Sequence, residues 1–188
     1  MYTIVSTRFN NTTWRENHDY RLKKNFCCIY GSPQEMSPKI DYDSIVFVVE
    51  MNNSTNKIEG IGLIKNHPYL DKYYKIYSDG NFNRYIYKGK YYIDRETLMR
   101  NYQHLVEVLD HILFKEKTHL KRGSGFTTIP EKLLKHKMCE NINIKKEIRD
   151  LFILKYRNIS SSYSDEKLNC SDSTNINIDI DIDIDNVT

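Results

Sequence analysis

Lys121-Arg122-Gly123-Ser124-Gly125 combines the residue types that an anion site needs. Two cations precede a flexible turn whose backbone N–H groups can face a phosphate, and a helix is expected to open soon afterwards at Pro130. It is not a Walker loop, because the glycine spacing and the Lys-Ser/Thr ending are absent. A basic, glycine-containing connection from helix to strand is the competing reading of the same residues. His104, Glu107 and His111 form a second grouping, at i, i+3 and i+7 on the polar face of a helix. Two imidazoles and a carboxylate are the chemistry of a metal site. Seven helical residues, however, separate the histidines by about 10 Å along the axis, which is too far for one ion. A solvated face, with no metal and no cofactor, is therefore expected. No Gly-x-Ser-x-Gly elbow is present, and Cys139 beside His136 and Lys137 reads as helix-end sequence. Asp41, Asp43, Glu50 and Glu59 lack the spacing of a nuclease site, so no catalytic residue is assigned.

Exposed aromatics among cations stack on bases. Trp14, Tyr30, Tyr85, Tyr87 and Tyr91 lie on or beside strand-like and loop-like stretches and are candidates for this use. Core packing is the other use of strand tyrosines. The excess of 15 Tyr over one Trp also fits a compositional bias toward residues with A/T-rich codons.

The charge is unevenly placed. From Ser160 onward seven acidic residues stand against the single Lys167, which leaves that stretch at −6 and the remainder of the chain at +9, within a formal total of +3. A body with that excess can attract a polyanion, although a basic surface also serves solubility alone. The start of the chain has neither a basic n-region nor an apolar h-region. No apolar run is long enough to span a bilayer. Cys27, Cys28, Cys139 and Cys170 have no paired spacing, which leads to the expectation of free thiols in an intracellular, reducing compartment. Cys27 and Cys28, adjacent in a strand-like run, should point to opposite faces.

The elements that would carry these groups fit one domain over residues 1–158, followed by a disordered acidic tail over 159–188 whose Ile-Asp alternation is a low-complexity repeat. Ile45–Met51 and Lys57–Ile64 predict a hairpin across Asn52-Asn-Ser-Thr-Asn56. Gly60 and Gly62, flanking Ile61, predict a bulge or a close approach by other backbone or a ligand. A strand is expected over Asn25–Tyr30, stopped by Gly31-Ser32-Pro33. A later strand pair, 84–87 and 91–93, is expected to fold about Lys88-Gly89-Lys90. The first helix is placed at Arg95–Lys115, with Leu98, Tyr102, Leu105, Leu109 and Ile112 on one face and Asp94 as N-cap. Short helical structure at Pro130 and a last helix over Ile144–Tyr156 complete an α+β class.

Asn25-Phe-Cys-Cys-Ile-Tyr-Gly-Ser-Pro33, Tyr42–Glu50 and Lys57–Ile64 resemble the opening strand and central hairpin of PUA-like modules of the EVE and YTH type, over roughly residues 24–66. The resemblance implies a small mixed sheet or barrel with flanking helices, and binding of RNA or a modified base in a pocket bordered by Tyr30, Ser32 and Pro33. The tryptophan-rich cage of a YTH reader is not matched, since Trp14, the single Trp, lies upstream of the stretch. The functional expectation is a non-enzymatic module binding RNA or DNA, with Lys121, Arg122 and Ser124 on phosphates. The alternative is a protein-interaction or host-modulating factor of a large DNA virus with no nucleic-acid role.

Overall fold

The computed structural model describes residues 2–115, 117 and 119–162, with side chains as far as Tyr156. In chain order the elements are β1 (Tyr2–Phe9), α1 (Asn11–Lys24), β2 (Cys28–Ser32), β3 (Ile45–Asn52), β4 (Lys57–Lys65), β5 (Tyr85–Gly89), β6 (Tyr91–Asp94), α2 (Arg95–Phe114), β7 (Thr127–Thr128), α3 (Glu131–Leu134) and α4 (Ile144–Ser162). Short 3-10 turns occupy Gly80–Asn83 and Lys137–Cys139. The class is α+β, with helices flanking a five-stranded sheet of order β6-β4-β3-β1-β7.

The predicted hairpin is β3–β4. Its turn ends on Asn56 in the left-handed region, φ 54°, which Asn tolerates. The pairing slips between Glu50 and Met51, so that Glu50 faces Gly60 and Met51 faces Ile58. This is a bulge, as the glycines suggested. β1 lies parallel to β3, a pairing that needs a long crossover.

Part of that crossover is α1, which the sequence reading does not foresee. Its buried residues are Asn17 and Arg21, while Leu22 is exposed, so no apolar stripe marks it. It is set instead by its ends. The Asn10 side chain accepts from Thr13 N at 2.8 Å while the Thr13 hydroxyl accepts from Asn10 N at 3.0 Å, and Asn25 closes the helix in the left-handed region.

Two further expectations are corrected. β2 begins at Cys28 and runs through Gly31 and Ser32 instead of stopping there, because Gly31 pairs with Ile86. A Cβ on Gly31 would lie 2.1 Å from the Phe82 carbonyl oxygen, so this glycine serves a close approach rather than a turn. The 84–93 segment is not a hairpin. β5 pairs with β2 and β6 pairs with β4. Gly89 crosses β4 so closely that a Cβ there would be 1.9 Å from the Leu63 carbonyl oxygen, and at this corner the chain passes from one sheet to the other. Val5, Val46, Val48 and Ile64 of the five-stranded sheet pack in one cluster with Ile29, Tyr30, Ile86 and Tyr87 of β2 and β5, so the two sheets enclose one interior. Phe126 joins it by meeting Tyr30 and Tyr87 edge-on, with ring centroids 6.1 and 5.1 Å apart.

α2 follows its predicted bounds, and Asp94 caps Thr97 N at 2.8 Å. Tyr102 breaks it with φ −142° and ψ 42°. In a straight helix residues 95 and 110 would stand about 22 Å apart. The kink brings the Arg95 guanidinium within 2.7 Å of Asp110, and the two clamp the backbone of Ile58. α4 packs Ile144, Ile148, Leu151 and Phe152 inward and extends beyond the predicted Tyr156. Met1–Leu154 forms one compact unit. The Ile-Asp repeat lies outside the described residues. No helix among those described is long and apolar enough to cross a membrane.

Candidate nucleic-acid interface

Arg8 stands on β1 opposite Met51 and is half-buried. Its Nε donates to the Leu120 carbonyl, Nη1 to the Gly125 carbonyl at 3.4 Å and Nη2 to the Thr127 hydroxyl at 2.8 Å. One guanidinium thus braces the whole basic loop from 120 to 127. Desolvation lowers its pKa from the usual value, and no carboxylate among the described residues pairs with it. The Asn53 amide holds the Lys121 carbonyl from the other side at 2.9 Å. Gly123 and Gly125 take φ values of 102° and 65°, which L side chains rarely adopt.

In this braced loop the backbone N–H groups of Arg122 to Gly125 donate to no acceptor among the described residues. Arg122 and Ser124 are exposed and Lys121 is half-exposed, and neither cation pairs with a carboxylate among those residues. Unused donors beside unpaired cations can take a phosphate.

The structure brings the loop against the stretch that carries the PUA-like resemblance. A Cβ on Gly125 would lie 2.6 Å from the Ser32 hydroxyl and 3.8 Å from Pro33. Pro33 is half-exposed. Ser32 is fully buried, its hydroxyl bonded to the Gln34 carbonyl at 2.5 Å. Tyr30 is also fully buried, so its ring presents no face for stacking from solvent. Trp14 is half-buried on α1, packs against the core and stacks on His18 at 4.9 Å.

Tyr30 belongs to a buried polar cluster. Its hydroxyl and Arg21 Nη1 both donate to Glu50 Oε1, at 2.8 and 3.0 Å, and the Tyr92 hydroxyl donates to Oε2 at 2.9 Å. Burial would lower the Arg21 pKa, but the Glu50 charge more than reverses this and holds it above the usual value. The Tyr30 and Tyr92 phenols are pushed well up, first by burial and then by the Glu50 charge. The glycines of β4 make the space. A Cβ on Gly60 would lie 2.3 Å from the Tyr92 oxygen, and one on Gly62 would lie 2.2 Å from the Tyr30 oxygen. All members are satisfied, which fits a framework role in placing β2 under the loop.

The exposed aromatics are others than those the sequence singles out. Tyr42 is 63% exposed, its ring 5.0 Å from His67, and His67 lies 5.6 Å from Tyr69. Asp43, itself at φ 61°, fixes the imidazole through Nδ1 at 2.9 Å. No periodicity marks this row, since its members sit in two separate loops. On α2, His104 and Glu107 are exposed and Glu107 accepts from Gln103 at 2.7 Å. His111 instead faces His136, with ring centroids 5.9 Å apart. No group of three or more metal-ligating side chains occurs among the described residues. The Cys139 thiol is buried and pushed up by desolvation, against the character of a nucleophile.

No protein-family profile matches the sequence, and no curated protein matches it. Among solved structures, the chain is similar to the YTH domain of the Zygosaccharomyces rouxii MRB1 protein, determined in complex with N6-methyladenosine RNA. The match has 14% identity and a TM-score of 0.33, and covers 80% of this chain and 85% of that one.

Proposed function

We propose that this chain is a non-enzymatic nucleic-acid-binding module, with RNA as its ligand class. The observation that carries this reading is the loop at 120–127. Arg8 braces it, its N–H groups from 122 to 125 are unused, and Lys121 and Arg122 have no carboxylate partner among the described residues. Phosphates bind at the loop, and the exposed ring of Tyr42 with its neighbours His67 and Tyr69 offers a stacking surface for unpaired bases. The +9 charge of residues 1–159 supplies the longer-range attraction.

The test is fluorescence anisotropy with single- and double-stranded RNA and DNA oligonucleotides across a salt series. Log K should fall linearly with log salt. Replacing Lys121 and Arg122 with Ala should flatten that slope by about one for each phosphate no longer neutralised. No binding at low salt by the chain truncated after Asn158 would reject the proposal and favour the protein-interaction alternative.

A further inference from the structure

Lys88 projects from β5 into three aromatic rings. Its Nζ lies 3.8 Å from the ring centroid of Tyr69, 5.0 Å from that of Tyr74 and 5.8 Å from that of Phe26. All three fall within about 6 Å, the range of cation–π attraction. Nζ also donates to the Tyr74 hydroxyl at 2.8 Å, and that hydroxyl donates in turn to both Asp71 oxygens at 3.0 Å. A carboxylate thus stands behind the rings and supplies counter-charge to whatever cation they enclose.

Each ring has an anchor of its own that does not involve Lys88. Tyr69 is fixed through its backbone, whose N–H donates to the Ile86 carbonyl at 2.7 Å along the edge of β5. Phe26 is fixed by the end of α1, its N–H donating to the Arg21 carbonyl at 2.9 Å, and its ring lies parallel to Tyr20 at 6.3 Å. Tyr74 is 1% exposed and held by Asp71. The rings therefore keep their places whether or not Lys88 stays among them. Lys88, by contrast, is half-exposed and sits on a flexible four-carbon stem.

We propose that Phe26, Tyr69 and Tyr74, backed by Asp71, form a binding cage for a quaternary ammonium group, and that Lys88 is an internal plug occupying it. The Lys88 ammonium stands in for the ligand's cation. A quaternary ammonium has no N–H and gives up the bond to the Tyr74 hydroxyl, but its methyl groups fill the wider gaps toward Tyr74 and Phe26. It is also less strongly hydrated than a primary ammonium, so it leaves water more readily for the rings. The cage shares Tyr69 with the stacking surface proposed for bases, but neither the basic loop nor a phosphate enters it, so tetramethylammonium binding tests it apart from nucleic-acid binding.

The experiment is an NMR titration of the full chain with tetramethylammonium chloride, with sodium chloride at equal ionic strength as control, following the Tyr and Phe ring signals. Wild type should bind weakly, because ligand and plug compete for one position. Lys88→Ala should bind at least about tenfold more tightly, the equivalent of removing the plug's own cation–π attraction. The Lys88→Ala/Tyr69→Ala double variant should reverse that gain. Lys88→Met keeps the aliphatic stem and serves where the alanine variant fails to fold. Trimethyl-lysine and phosphocholine then distinguish a peptide source from a headgroup source, and saturable binding of either supports the cage. The proposal is overturned if ring signals in both Lys88 variants respond no more to tetramethylammonium than to sodium. It is equally overturned if the affinity does not depend on Lys88 or Tyr69. Lys88 is then a latch joining β5 to the 69–74 segment.

Discussion

Arg21 and Glu50 form an ion pair at 3.0 Å with side chains only 8% and 1% exposed, and the Arg21 guanidinium lies 3.8 Å over the ring of Tyr92. Removing one partner strands a charge in the interior, which costs about 3–5 kcal/mol, whereas removing both leaves only phenols to re-satisfy. Arg21→Met and Glu50→Gln should each lower stability by that order in urea unfolding. Arg21→Met/Glu50→Gln should fall well short of the sum of its two single variants. A loss below about 1 kcal/mol for either single variant would show that water reaches the pair.

Gly62 and Tyr30 should behave as one unit. A Cβ on Gly62 would lie 2.2 Å from the Tyr30 oxygen but 3.1 Å from the ring carbon behind it, so the clash is with the hydroxyl. Gly62→Ala should cost about 1–3 kcal/mol through overpacking. In a Tyr30→Phe background the same change should cost less than half as much, measured as a double-mutant cycle by chemical denaturation. Equal costs in both backgrounds would place the strain in the β4 backbone.

The glycines of β4 show what the sequence makes legible. Gly60 and Gly62 beside Ile61 announce a close approach, because a strand gives up side-chain packing only where something else fills the space. The β3–β4 hairpin and α2 are readable from apolar periodicity and turn residues for the same reason. α1 is not readable, since it buries Asn17 and Arg21 rather than an apolar stripe, and its packing depends on Glu50 and Tyr77 from distant parts of the chain. The divergence of β5 and β6 is hidden because Lys88-Gly89-Lys90 has the composition of a hairpin turn, while Gly89 is there to cross Leu63. At the site, Lys121 and Arg122 stand out by residue type, but Arg8 gives no local signal. Its partners are more than 110 positions away.

Alkaline pH should weaken the fold through groups that stay protonated only when buried. Burial pushes the Cys28 thiol up to about 12 from its ordinary 9.0, and the Tyr30 and Tyr92 phenols well above 10.0. Above these ordinary values the unfolded chain has released protons that the native chain still holds, so stability must fall as pH rises. The contribution is complete below about pH 9 and is lost progressively through about pH 12. Urea midpoints should decline across that window, and phenolate absorbance should show a late fraction that appears together with unfolding. A smooth, non-cooperative titration of every tyrosine in a still-folded chain would contradict the burial of Tyr30 and Tyr92.

Arg8 should govern the basic loop from behind, as a brace. Its guanidinium holds Leu120, Gly125 and Thr127 together, and hydrogen bonds from a charged donor contribute about 1.5–3 kcal/mol each when their removal strands a partner. These acceptors lie at a partly exposed edge, so water recovers part of that energy. Arg8→Met should therefore lower global stability modestly while raising amide hydrogen exchange much more at Leu120 and Ile129, whose bonded N–H groups flank the loop. If the loop is the phosphate site, binding should weaken because a loose loop must be ordered when the ligand arrives. The comparison with Lys121→Ala/Arg122→Ala separates the two roles. Removing a cation that neutralises phosphate reduces the salt slope, whereas removing a brace lowers affinity at every salt concentration with the slope nearly kept. A reduced slope in Arg8→Met would show that Arg8 meets phosphate directly. Unchanged exchange at Leu120 and Ile129 would show that Asn53 and the two glycines hold the loop without it.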